Sequence, residues 1–534
     1  MPKLTVVTDN RAREIPFSHG SSVREVLDAA GLQVRSGCRG NGACGLCLVQ
    51  IEAGNVHGPT KNEHLVLSAE QLGQNIRLAC QLTPKNDLLI RVINTVSKPN
   101  WRDLPPDHLA CTHSHHLSGI QSTETGYGLA VDVGTTHISL SLWDLEHSNR
   151  LFGRIGLNPQ SRYGTDVVTR LIAAGESPEA VRRIARMPLD AIYKALLDMY
   201  ALHNVSPREI TRVSIVGNTP MLALLTETDP QILLQPRFWT QPVDCRLDDP
   251  QTWVSVMGIH PEAAIDVISP FAGFVGSDLL AGVLATGLTD HPTGLLIDFG
   301  TNSEIALWDG NTLRVTSAAG GPAFESCGIQ CGMPAEAGAI YRIDQQQDST
   351  GFHFQVIGGG EAKGLCGSGL VDLIAYLRST GDLTPTGKFA TPYARDGFVV
   401  NQNSSDIRLT IGDVDMLQRA KAAIGVGINT LLAKAKMKAE ELSRICVCGA
   451  FGRHLNTRNA QLIGLLPDVP PERIELCGNT ALAGCEHLLL SPIKRVDMES
   501  LRNRAVIVNL SQASDFETLF VENLYLQPLR VDET

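Results

Sequence analysis

The stretch Leu129-Ala130-Val131-Asp132-Val133-Gly134-Thr135-Thr136 returns 166 residues later as Leu295-Leu296-Ile297-Asp298-Phe299-Gly300-Thr301-Asn302. The first copy continues into Ile138-Ser139-Leu140-Ser141-Leu142-Trp143-Asp144, the second into Glu304-Ile305-Ala306-Leu307-Trp308-Asp309. Each copy reads as a buried apolar strand, an Asp, a Gly-Thr turn and a second strand ending in Trp-Asp. A second echo links Val213-Ser214-Ile215-Val216-Gly217-Asn218-Thr219 with Ile445-Cys446-Val447-Cys448-Gly449-Ala450-Phe451-Gly452, both strand, glycine turn and helix. Two related halves of this kind predict a duplicated α/β fold. A Gly-Thr turn suits phosphate, because glycine permits close approach and successive backbone N–H groups then point at the anion. The hydroxyls of Thr135, Thr136 and Thr301 add donors beside Gly134, Gly300 and Asn302. The carboxylates of Asp132 and Asp298 are placed to hold Mg²⁺ directly or through its water shell. One such turn is commonplace in hairpins; two copies, each after an apolar strand, are a stronger signal. The later turn Gly449-Ala450-Phe451-Gly452 is expected to let the backbone pass close to an adenine or ribose.

Ahead of these halves stands Ser36-Gly37-Cys38-Arg39-Gly40-Asn41-Gly42-Ala43-Cys44-Gly45-Leu46-Cys47, with a fourth cysteine at Cys80. Three thiolates on one glycine-rich loop can wrap an iron–sulfur cluster while a distant fourth closes the cage. The glycines allow a tight loop whose N–H groups face the sulfides. Five residues separate Cys38 from Cys44, one more than in plant-type ferredoxins, and in this the loop resembles the adrenodoxin-like branch of [2Fe–2S] ferredoxins. Structural zinc usually takes paired CxxC knuckles, and only one such pair occurs here.

The 534 residues are too many for one ordinary domain. A hydrophobic fraction of 43% with 19% charged residues fits a globular protein. The net charge of −11 argues against nonspecific nucleic-acid binding, which depends on Lys and Arg. No apolar run is long enough for a membrane span and the N-terminus lacks a signal-peptide core, so a cytoplasmic location and no membrane partner are expected. In a reducing compartment, Cys245, Cys446, Cys448, Cys477 and Cys485 read as small buried hydrophobes.

Residues 1–95 read as a β-grasp ferredoxin-like domain, with a strand at Leu4–Thr8, a capped helix from Ser22 to Gly31 and a closing strand at Leu88–Ile93. Residues 96–125, rich in Pro, Ser, Thr and His, read as a flexible linker. Its Cys111, His113, His115 and His116 are too crowded to close a tetrahedral metal site alone. Residues 126–206 are expected to form a first actin-like subdomain, and 207–534 the ATP-binding domain. Ala422–Leu432 reads as a packed helix with close glycine contacts, and Arg453 and His454 as a helix start at the surface.

The pair DVGTT and DFGTN with a later GAFG resembles the acetate/sugar kinase–Hsp70–actin superfamily of ATPases, which implies a ribonuclease H-like, actin-like fold with ATP phosphates between the two Asp-Gly turns. With the N-terminal cysteine loop, the chain as a whole resembles the reductive activators of corrinoid-dependent methyltransferases. Further segments similar to that family are Gly217–Thr219, Val275–Asp278, Gly320–Glu325, Cys331–Met333 and Leu365–Leu370. The resemblance implies ATP-dependent transfer of one electron, from a low-potential donor through a [2Fe–2S] cluster, to an inactive Co(II) corrinoid protein or methyltransferase, giving Co(I). It also implies a homodimer. Some relatives carry two [4Fe–4S] clusters near the C-terminus. Here no cysteine follows Cys485, so one cluster is expected.

Three alternatives stand beside this reading. An activator of 2-hydroxyacyl-CoA dehydratases has the same ATPase fold but needs cluster cysteines inside it. A small-molecule kinase with a redox-sensing ferredoxin domain needs a catalytic base and an acceptor pocket, and a binding module would use nucleotide only to set affinity. Cys327, Cys331 and Cys366 read as small residues beside glycine-rich loops. Glu325 and Ser326 are candidates to face cobalt or the γ-phosphate.

Overall fold

The computed structural model describes residues 1–8, 11–32, 34, 40–42, 45, 47–93, 101–104, 125–164, 166–325, 328–345, 351–401 and 407–529. Cys38, Cys44, Cys111, His113, His115, His116, Ser326 and Cys327 lie outside them.

The first sheet comprises β1 (Lys3–Thr8), β2 (Arg11–Pro16), β3 (Leu48–Ala53), β4 (Ile76–Leu78) and β5 (Leu88–Val92), in the order β2-β1-β5-β3-β4. The expected closing strand is therefore the central one, parallel to β1 and antiparallel to β3. Helix Val23–Ala29 starts at Ser22, whose hydroxyl caps the Glu25 N–H while Glu25 reaches back to the Ser22 N–H. Val23, Val26 and Leu27 pack with Leu4, Val6 and Ile90 in the core of this domain.

Two six-stranded sheets follow. The first joins β6 (Arg102–Asp103), β7 (Tyr127–Val133), β8 (His137–Asp144), β9 (Asn149–Leu157), β10 (Ile210–Gly217) and β11 (Ala264–Val267) in the order β11-β10-β7-β8-β9-β6. The second half contributes β12 (Gly294–Asp298), β13 (Ser303–Trp308) and β14 (Leu313–Ala318). It continues through β15 (Ala339–Gln345), β16 (Phe352–Val356), β17 (Gly364–Leu365), β18 (Phe398–Asn401) and β19 (Ile407–Leu409), which form two small sheets. It ends with β20 (Ile445–Cys448), β21 (Ile474–Gly478) and β22 (Val506–Ile507), and its large sheet runs β21-β20-β12-β13-β14-β22. In each half an antiparallel meander carries two further parallel strands on its leading edge. Both sequence echoes are thus structural equivalents: β7 with β12, and β10 with β20.

This topology corrects two expected boundaries. The division at residue 206 separates a helix from β10, yet β10 pairs with β7 along its whole length. The first sheet extends to Val267 and the second begins at Gly294. Nor is the whole of 96–125 a free linker, because Arg102–Asp103 pairs with Arg154–Ile155 as the edge strand of the first sheet.

The halves meet through two buried helices, Ser277–Thr286 and Thr480–Leu490. They approach closely: a Cβ added at Gly484 would lie 2.0 Å from the Ala281 carbonyl oxygen. Residues of both helices share one apolar cluster with Ala130 and Val216 of the first sheet and Leu296 and Ala306 of the second. The expected packed helix is Ile411–Ala435, where Gly427 admits Ile305, since its Cβ would lie 2.6 Å from that side chain. After β20 the chain makes a 3₁₀ turn at Ala450–His454, and the α-helix begins only at Thr457, capped by Asn456. Arg453 and His454 therefore belong to the turn and not to a helix start. Gly484→Ala forces apart two backbones that cannot yield locally, so it is expected to destabilise the protein by about 1–3 kcal/mol, read as a lower urea midpoint; an unchanged midpoint would contradict this packing.

Candidate functional site: the facing Gly-Thr turns and the cysteine loop

The two Asp-Gly-Thr turns lie at the ends of β7 and β12 and face each other. Thr136 Oγ1 and Thr301 Oγ1 are 3.3 Å apart. Gly134 has no room for a side chain, its Cβ falling 2.8 Å from the His137 carbonyl oxygen. Gly449 adopts φ +89°, and a Cβ there would lie 2.5 Å from the Phe299 carbonyl and 2.9 Å from Asp298 Oδ1. The GAFG turn and the second Asp turn are thus pressed together. Phe451 is 9% exposed and packs with Phe299 and Phe324, at ring separations of 5.1 and 5.0 Å. Its ring is part of the core.

Two asparagines and two carboxylates absent from the sequence-based site join this seam. Asn479 Nδ2 donates to Asp132 Oδ2 at 3.2 Å and to Ser139 Oγ at 3.3 Å, while its own Oδ1 caps the Thr480–Leu490 helix. Asn218 Nδ2 donates to Thr135 Oγ1 at 2.9 Å and likewise caps a helix, Thr219–Leu225. Gly-Asn-Thr occurs at 217–219 and again at 478–480, a repeat that was available to find both. Asp278 and the buried Glu304 complete the acidic set, the Gly276 N–H donating to Glu304 Oε1 at 3.4 Å.

Burial dominates the electrostatics. Desolvation, reinforced by Asp278, lifts the Asp132 carboxyl to about 8 despite the Asn479 hydrogen bond. The same causes lift Asp298 to about 7, and desolvation lifts Asp278 to about 6. Glu304 is raised well above its ordinary value, first by burial and then by Asp278 and Asp298. A set of carboxyls that resists ionisation in one seam is a place where a cation lowers the free energy. Among the described residues, no three His, Cys, Asp or Glu side chains converge as direct ligands of one ion. Such a set suits Mg²⁺, which keeps several waters and shares its shell with phosphates.

In the N-terminal domain, Cys47 is 1% exposed and Cys80 is half-buried. The Ala79 N–H donates to the Cys47 carbonyl at 2.8 Å, setting the two cysteines side by side. Gln81 Nε2 holds the Gly40 carbonyl at 2.9 Å, and Gly40, Gly42 and Gly45 all take positive φ. Arg77 and Glu63 form a buried fork of two 2.8 Å bonds, and Glu63 also accepts from the Leu78 N–H, fixing the strand that delivers Cys80. A hydrogen bond with Cys47 draws the Cys80 thiol down to about 6 against the effect of burial, aided by Gln81 and Arg24. Thiolate-favouring surroundings on a glycine loop fit cluster ligation. Elsewhere, Cys245, Cys446, Cys448, Cys477 and Cys485 are buried in apolar surroundings, as expected, and burial pushes the Cys245 thiol up to about 12. Cys366 is buried, its Sγ 3.3 Å from Ser368 Oγ, and burial likewise raises the half-exposed Cys331.

An N-terminal iron–sulfur domain followed by a duplicated actin-like fold defines the class. Residues 7–85 match the 2Fe-2S iron-sulfur cluster binding domain, 127–291 the RACo middle region, and 292–533 the C-terminal domain of RACo, the ASKHA domain. The corrinoid activation enzyme RamQ of Eubacterium limosum is 29% identical over 90% of this chain and 91% of its own. The [Co(II) methylated amine-specific corrinoid protein] reductase of Methanosarcina barkeri is 26% identical over 75% and 76%. The solved reductive activator for corrinoid,iron-sulfur protein superposes with a TM-score of 0.66, at 27% identity, over 99% of both chains. The chain belongs to this family of reductive activators of corrinoid proteins, and its N-terminal domain is of the [2Fe–2S] type.

The raised carboxyl values give a pH test. An unfolded Asp or Glu titrates near about 4, whereas Asp278, Asp298 and Asp132 hold their protons to about 6, 7 and 8. The native state then binds more protons than the unfolded one, so stability is greatest at the acid end of this window and falls as pH rises through it. Differential scanning calorimetry of the nucleotide-free protein is expected to show a falling midpoint between about pH 5 and 8, with a shallower fall in Asp298→Asn. Equal slopes for the two proteins would contradict the assignment.

Proposed function

We propose that the protein reactivates a corrinoid protein by ATP-dependent delivery of one electron. The observation that carries this reading is the union, in one chain, of a ferredoxin cysteine loop and two facing Asp-Gly-Thr turns. A [2Fe–2S] cluster held by Cys38, Cys44, Cys47 and Cys80 supplies a one-electron carrier. A low-potential donor loses one electron and the partner's Co(II) gains it, becoming Co(I). In this reading Asp132 and Asp298 position Mg²⁺, Gly134, Thr135, Thr136, Gly300, Thr301 and Asn302 hold the phosphates, and Gly449, Ala450, Phe451 and Gly452 line the adenosine. Asn479 and Asn218 orient Asp132 and Thr135.

A phosphate oxygen about 2.7 Å from each hydroxyl would bridge Thr136 of one half and Thr301 of the other, which stand 3.3 Å apart. A ligand held from both halves at once would favour the arrangement in which both turns reach it, the physical requirement for coupling nucleotide to partner binding or electron delivery. The family resemblance supports a homodimer and a cytoplasmic location. Among the described residues, no helix is long and apolar enough to cross a membrane.

The test mixes anaerobic protein, a reduced donor and a Co(II) corrinoid protein, and follows visible spectra with and without Mg–ATP. Co(I) is expected only with ATP, and Cys47→Ser is expected to abolish it. Equal Co(I) formation without ATP, or none with an intact cluster and the corrinoid proteins of the same organism, would overturn the reading.

A further inference from the structure

In the N-terminal domain, the helix Val23–Ala29 is fastened by its first residues to the turn that carries Cys80. The Val23 N–H donates to the Leu82 carbonyl at 2.8 Å, and the Arg24 N–H donates to the Ala79 carbonyl at 3.0 Å. These two bonds straddle Cys80 and Gln81. From the same turn, Gln81 Nε2 donates to the Gly40 carbonyl at 2.9 Å and stands 3.7 Å from Cys80 Sγ. The cysteine loop at Gly40, the Cys80 turn and the start of the helix are therefore one hydrogen-bonded unit. The Arg24 side chain reaches into it. Arg24 Nη1 and Cys80 Cβ each lie 3.8 Å from the point where a Cβ on Gly40 would stand.

That placement puts the guanidinium within about 8 Å of the Cys80 Cβ, no more than a Debye length at physiological ionic strength. Its side chain is only 12% exposed, so salt and water screen it weakly. Its counter-charge is loosely held. Arg24 Nε stands 3.6 Å from Asp28 Oδ2, one helical turn further on, which is beyond hydrogen-bond length. A second cation draws on the same residue, Arg162 Nη2 of the 3₁₀ turn Pro159–Tyr163 donating to the Asp28 carbonyl at 3.5 Å. Burial holds the Asp28 carboxyl above its ordinary range in spite of both arginines, which limits the charge it offers Arg24. A cation so placed favours the state of a cluster that carries one more negative charge, since net charge near the sulfurs is a main determinant of potential.

We propose that Arg24 sets the reduction potential of the cluster, raising it through a charge held beside Cys80, with Asp28 as the counter-charge that tempers it and Gln81 as the residue that positions the loop. The inference rests on Cys80 being a cluster ligand, as proposed above. The step concerned moves one electron: the donor loses it, the cluster gains it, and the net charge of the cluster falls by one. Arg24 stabilises that added charge, so the electron passes more readily from donor to cluster. The same stabilisation opposes its onward transfer to Co(II), and in the proposed function that is the transfer for which ATP is needed.

The test is a potentiometric titration of the full chain, with the cluster followed by the EPR signal of its reduced state. Arg24→Gln is expected to lower the equilibrium constant for reduction about tenfold, as loss of a unit charge at this distance near a protein surface implies, which for one electron is about 59 mV. Arg24→Lys keeps the charge and is expected to stay near the wild type. Asp28→Asn is expected to move the potential the other way, by less. Cluster content, read from bound iron and visible absorption, is expected to be equal in all four proteins. Equal potentials in the wild type and Arg24→Gln, or a fall in Arg24→Lys as large as in Arg24→Gln, would overturn the inference alone. If Arg24→Gln assembles no cluster, Asp28→Asn decides: a rise supports the inference, and no change or a fall overturns it. A wild type that binds no [2Fe–2S] cluster would overturn it together with the proposed function.

Discussion

Everything in the ATPase region depends on how closely the Ser277–Thr286 and Thr480–Leu490 helices approach. With Gly484 lying against the Ala281 carbonyl, two backbones meet where side chains would normally hold them apart. This contact sets the distance between the two sheets, and the sheets set where their Asp-Gly-Thr turns end. Because the Asn479 cap starts one of these helices and donates to Asp132, the spacing that packs the core also aims a donor at the seam. Packing and site geometry are one constraint here.

The seam is electrostatically incomplete. Asp132, Asp278, Asp298 and Glu304 hold their protons well above the usual carboxylate range because burial and mutual repulsion penalise ionisation. Evolution of a merely structural core would favour apolar residues in such a place, since unpaired buried charge is costly. In the proposed function, a divalent cation brought by a phosphate ligand would reverse the balance. On that reading the carboxyls would lose their protons as the cation enters.

Much of this was legible in the sequence, for a physical reason. The LAVDVGTT and LLIDFGTN repeats survive because each position has a hard requirement: an apolar strand buried on both faces, a carboxylate, and a glycine with no space for Cβ. The cysteine loop is legible for the same reason, its spacing being fixed by the cluster it would wrap. Asn218 stood in a marked segment, Gly217–Thr219, without an assigned role; Asn479 was harder, because its Gly-Asn-Thr reads as an ordinary helix cap until the two copies are paired across the fold. Asp278 lies in a segment that the family resemblance marked, Val275–Asp278, but its place beside Asp132 and Asp298, like that of Glu304, comes from tertiary packing. The domain division failed at 206 because the strand pairing of β10 with β7 bridges about eighty intervening residues. The edge strand Arg102–Asp103 hid in a Pro- and His-rich segment whose composition resembles a tether. Phe451, expected at the adenosine turn, is held by Phe299 and Phe324 in the core, a distinction between backbone and ring that sequence does not draw.

In the proposed function, the half-buried carboxyls of the seam, raised above their ordinary range, give up protons as Mg–ATP binds. Isothermal titration calorimetry of Mg–ATP into the full chain at about pH 6.5, in buffers of different ionisation enthalpy, measures that exchange directly. The account predicts net proton release on binding, with less in Asp298→Asn and Asp132→Asn. Binding with no proton release, or equal release from the wild type and both variants, would contradict it.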